Sequence, residues 1–126
     1  MADRPLTRNA ADPADVKDAN AVEQRRAKRF AGALGRALQI PDVRLVVAAL
    51  LEEAGLDSGG YDAAGSFLYY REGQRAQGLR ILKACRLADE AATALMEAEQ
   101  RERNAADARD LDAAARARAQ AAEDDA

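Results

Sequence analysis

Large apolar side chains recur at helical spacing between Phe30 and Met96 and thin out on either side. Asp12-Pro13 reads as a helix start, a capping acceptor followed by proline at the first helical position. The helix it opens is expected to run to about Gln39. Its first half carries only a thin stripe of Val16, Ala19 and Val22, whereas Phe30, Leu34 and Leu38 follow at four-residue spacing as a core face. Pro41 ends that helix and opens the next, because the residue before a proline resists the α region. The second helix, 42–54, is apolar around most of its circumference (Val43, Leu45, Val46, Val47, Leu50, Leu51). It is therefore expected near the centre of the fold, with Gly55 as its stop. After a glycine-bearing loop, 56–65, Ser66 opens a third helix to about Leu87. Phe67, Tyr70, Gln74, Gly78, Ile81 and Cys85 fall near one face of it, and Tyr69 points about 100° away from Tyr70. Asp89 then caps a fourth helix that starts with Ala92, Leu95 and Met96 and can continue to about Ala122. Beyond residue 100 its only large apolar side chain is Leu111. Such a helix has high propensity and little of its own to pack on.

The predicted class is all-α: a small bundle of three or four helices with an N-terminal helical arm and a long C-terminal helix. The expected division is an arm and polar helix start (1–29), a helical core (30–100) and an alanine-rich charged tail (101–126). Composition agrees, since 33 of the 126 residues are alanine, the best helix former. The same count lowers the apparent apolar content, because alanine buries little area, and the lone core is thin enough to profit from a partner.

Charge is segregated along the chain. Residues 1–40 carry eight basic and five acidic side chains, residues 41–88 six of each, and residues 89–126 five basic and eleven acidic. One end is basic and the other acidic, which suits contact between identical subunits or with partners of opposite sign.

The chemistry-bearing residues point away from catalysis. The chain has no histidine, which removes the commonest general base and metal ligand. Its single cysteine, Cys85, sits on an apolar helix face and reads as a core residue. The loop lacks the Asp-x-Asp-x-Asp-Gly spacing of a calcium site. Gly73 and Gly78 have the outer spacing of a phosphate loop, but Leu79-Arg80 follow where Lys-Ser/Thr is required. No cofactor and no metal are expected, and the chain is read as a non-enzyme. No run of about 18 apolar residues implies a membrane partner.

Contact residues are the better candidates. Glycine costs about 1 kcal/mol in a helix interior, so Gly73 and Gly78 imply that something approaches the third helix closely. Around them, Tyr69, Arg71, Glu72 and Arg75 form a candidate interface, and Tyr61 on the loop is a candidate anchor. Arg25, Arg26 and Arg29, with Lys28, form a basic cluster suited to an acidic protein surface or to nonspecific contact with packaged DNA. A base-reading helix is not in evidence, because 42–54 carries only Arg44 as a cation.

The order of these features resembles a known family. Phe30-x-x-x-Leu34 is followed by Pro41, Arg44, Val46 and Leu50-Leu51, then a glycine-bearing loop, then Arg71-Glu72-Gly73-x-Arg75-x-x-Gly78-Leu79-Arg80-x-Leu82, then Met96-x-x-Glu99. This is similar to the small virion-associated proteins of short-tailed phages of the Bordetella phage type, across roughly residues 30–100, with departures at Val43, Gln74 and Ala76-Gln77. The resemblance implies a virion structural protein whose gene lies near that of the portal. On that basis the expected role is a head-to-tail connector, or adaptor, subunit: a ring docked on the portal protein and contacting tail proteins, at the portal vertex, after assembly in the host cytoplasm. Portal symmetry implies roughly twelve copies or a multiple. The alternatives are an internal scaffold or core protein of the head and a DNA-binding packaging factor.

Overall fold

The structure, a computed structural model, describes residues 12–56 and 66–126. The arm before Asp12 and the loop with Tyr61 lie outside the described residues. Four helices make up the fold: α1 (Pro13–Ala37), α2 (Pro41–Glu53), α3 (Ser66–Ala88) and α4 (Glu90–Asp124), with no strand among the described residues. The protein is an all-α bundle.

The boundaries follow local chemistry. Asp12 accepts a hydrogen bond from the Ala14 amide at 2.9 Å, and Pro13 occupies the first turn. Pro41 starts α2 after Ile40 turns extended. Gly55 has φ 79°, the left-handed conformation that ends a helix at little cost when no Cβ is present. The break between α3 and α4 is a single residue, Asp89, whose carboxylate caps the Ala92 amide at 2.9 Å and whose carbonyl accepts from the buried Thr93 hydroxyl at 2.8 Å. The Ala92 amide, and then the Gln39 amide group at 2.7 Å, hold the Asp89 carboxyl below its ordinary range. Gln39 thereby ties the end of α1 to the α3–α4 corner.

The core is small: Leu38, Ala48, Leu51, Cys85, Ala92 and Met96 are buried, and Leu34, Val47, Leu56 and Leu82 pack on them. α1 and α4 each pack against α3, and α2 packs on one side against both α3 and α4. Among the described residues one charged side chain is buried, Arg44. Its Nε donates to Glu99 Oε1 at 2.8 Å and its Nη1 to the Leu38 carbonyl at 2.8 Å. A single guanidinium thus joins the C-terminus of α1, α2 and α4, and offsets its desolvation with charge-assisted bonds.

Three expectations require correction. Phe30, expected in the core, is 60% exposed, because the bundle reaches α1 only at its final turns. α2 is not central: Arg44, Ala48 and Leu51 face inward while Leu45, Val46 and Leu50 are exposed. The Arg44 bonds to Leu38 and Glu99 orient the helix this way and leave an apolar side outward. On α3, the anticipated face is buried at Gly78 and Cys85, whereas Phe67, Tyr70, Gln74 and Ile81 are exposed.

Candidate functional site

The two glycines of α3 have different surroundings. A Cβ placed on Gly78 would lie 2.9 Å from Ala54 Cβ and 3.1 Å from Leu56 Cδ2, so Gly78 permits the close approach of α3 to the end of α2. It is buried and belongs to the chain's own packing. A Cβ on Gly73 would meet nothing within 4 Å. Among the described residues no contact accounts for that glycine, and it lies on an exposed surface.

That surface is the N-terminal half of α3. The Phe67 and Tyr70 rings stack with centroids 6.4 Å apart, and the Arg71 guanidinium lies 6.0 Å from the Phe67 centroid. Gln74 donates to the Tyr70 hydroxyl at 3.2 Å, one turn on. Tyr69 is 79% exposed; Arg71, Glu72 and Gly73 are exposed and Arg75 is half-buried. Exposed, mutually supported aromatics beside arginine have the composition of a contact hot spot. Phe67 and Tyr70 belong to this patch, although helical periodicity puts them on the same face as the buried Cys85.

Arg25, Arg26 and Arg29 are all exposed on α1, before the helix reaches the core. At the opposite end of the chain, every residue of α4 after Ala106 is exposed. With a rise of about 1.5 Å per residue, Asp107–Asp124 projects as a rod of about 27 Å. The apolar outer side of α2, with Val46 and Leu50, is a further uncovered surface; the width of the apolar arc in its sequence was the signal for it.

A cleft of about 520 Å³ opens where α2, α3 and α4 meet, with Leu51, Leu56, Leu79 and Met96 in its walls. Its rim carries the Arg86–Glu97 pair at 3.3 Å and a Gln100–Glu52 hydrogen bond. The Cys85 thiol is fully buried, and burial pushes its pKa up, so it offers no accessible thiolate. Among the described residues no group of three or more histidine, cysteine, aspartate or glutamate side chains is gathered for a metal, and no helix is long and apolar enough to cross a membrane.

Residues 35–97, half of the chain, match the family model described as Bbp19-like phage protein. No curated protein and no solved structure matches. The matched region spans the last turn of α1, all of α2 and α3, and the first turns of α4. It contains both the buried core and the aromatic patch, and it leaves out the basic cluster and the projecting rod.

Proposed function

The chain belongs to the Bbp19-like phage protein family, and from that premise we propose that it is a structural subunit of the virion, a head-to-tail connector docked on the portal ring. The observation that carries this reading is the amount of contact-ready surface on so small a core. Phe67, Tyr69, Tyr70, Val46 and Leu50 are exposed on the bundle, while α4 extends well past it. In the proposed ring, roughly twelve subunits or a multiple stand side by side, and the patch of Tyr69, Arg71, Glu72 and Gly73 meets portal or tail protein. No catalytic step is part of this role.

The test is copurification. Tagged protein incubated with assembled portal rings is expected to comigrate with them, and Tyr69→Ala with Arg71→Ala to lose about tenfold or more in affinity. Mass spectrometry of proheads and mature particles separates the second reading: a scaffold is present in proheads and absent from mature virions, whereas a connector is retained.

A further inference from the structure

We propose that the projecting end of α4 docks along the basic stretch of α1 in a second copy of the chain. The proposal rests on the reading of the protein as an assembling subunit, and names the two surfaces through which copies meet.

The rod supplies one surface. Ala108, Leu111, Ala115, Ala119 and Ala122 follow one another by three or four residues, which places them on one side of α4. At about 100° per residue, Asp107, Arg118 and Asp125 fall on one flank of that stripe and Asp112, Arg116 and Glu123 on the other, so carboxylates outnumber arginines two to one on each flank. Residues 107–126 carry six acids against three bases, and Leu111 is 71% exposed. Small side chains allow a second helix to come close, and the single leucine supplies an apolar anchor.

α1 supplies the other. Residues 23–30 carry four bases, Arg25, Arg26, Lys28 and Arg29, against one acid, Glu23. Phe30 stands exposed on the same side as Arg26, one turn away, with Arg29 at its flank. An apolar anchor bordered by arginines on one helix thus meets an apolar stripe with a net acidic border on the other.

The occupant must be another copy. From Glu90 to Asp124 the helix is continuous and contains neither glycine nor proline, so it has no hinge by which to fold back along its own α1. A contact that joins the tail of one subunit to the flank of the next is heterologous, and such contacts form a ring where the rotation closes and a filament where it does not.

Sedimentation velocity on the full-length protein tests this. The wild type is expected to self-associate at low salt and to dissociate as salt rises. Arg26→Glu with Arg29→Glu should weaken association at least tenfold, and so should Asp107→Arg with Asp112→Arg. Mixing the two variants should restore it, because reversed charges then face each other; rescue on mixing also excludes misfolding as the cause of the loss. Leu111→Asp should weaken association at every salt concentration. A monomeric wild type, charge-reversed variants that associate like wild type, or a mixture that stays monomeric would each overturn the proposal. The assay contains no portal protein, so a negative result strikes this pairing alone, and the connector reading stands or falls on copurification with the portal.

Discussion

Arg44 shows how much of a small bundle can depend on one side chain. It satisfies the Leu38 carbonyl at the end of α1 and pairs with Glu99 of α4, whose other oxygen lies 4.0 Å from Arg103. Arg44→Ala should therefore destabilise the fold by about 2–4 kcal/mol, since it leaves a carbonyl and a partly buried carboxylate without their partner. Arg44→Met combined with Glu99→Leu should recover most of that loss, because removing both charges removes their desolvation cost as well. Urea denaturation of the three proteins measures both effects. The glycines give a second contrast. Gly73→Ala meets open space and should stabilise α3 by about 0.5–1 kcal/mol through helix propensity alone. Gly78→Ala drives a methyl group into Ala54 and Leu56 and should cost about 1–2 kcal/mol net. Opposite shifts in thermal midpoint for the two variants would verify that only Gly78 is fixed by internal packing. The sequence marks both positions as unusual without separating them, because the neighbour that crowds Gly78 lies some twenty residues away across the loop. The Arg44–Glu99 pair, 55 residues apart, was equally invisible to spacing.

At the scale of elements, α4 combines two kinds of helix. Its first turns are held by the core through Ala92, Thr93 and Met96, whereas every residue of Asp107–Asp124 is exposed and Gln120 donates within the stretch itself, to Asp124 at 3.2 Å. Most helical stability in proteins comes from tertiary packing, which this exposed stretch lacks in the single subunit. Hydrogen exchange on the dissociated protein should therefore find slow amides around Met96 and fast amides from Asp107 onward, and the latter should slow on self-association. Uniform protection along α4 in the monomer would contradict this division. The ends of the helices were legible from sequence, since Asp12-Pro13, Pro41, Gly55 and Asp89 act within a turn of themselves. The inward faces were less so. α2 is apolar over too wide an arc for periodicity to select Arg44, Ala48 and Leu51 over Val46 and Leu50. Phe30 continues the spacing of Leu34 and Leu38 but lies beyond the elements that cover them. Among the candidate contact residues, Tyr69, Arg71, Glu72 and Gly73 share the exposed half of α3, and the three arginines of α1 are exposed together.

The molecule as a whole is a compact helical knot from which charged, weakly apolar surface extends. The few buried residues, one of them the inert Cys85, suffice to set the directions of four helices, while much of α1, the outer side of α2 and the end of α4 remain uncovered. Membership of a phage protein family gives that surface a context, and the proposed head-to-tail contact explains why charge is divided between the two ends of the chain. The most direct measurement is an asymmetric cryo-electron microscopy reconstruction of the mature particle. The account predicts four-helix density of this shape in a closed ring against the portal, with the end of each α4 laid along α1 of its neighbour. Mature infectious particles that lack the protein, or that hold it as isolated copies away from the portal vertex, would contradict it.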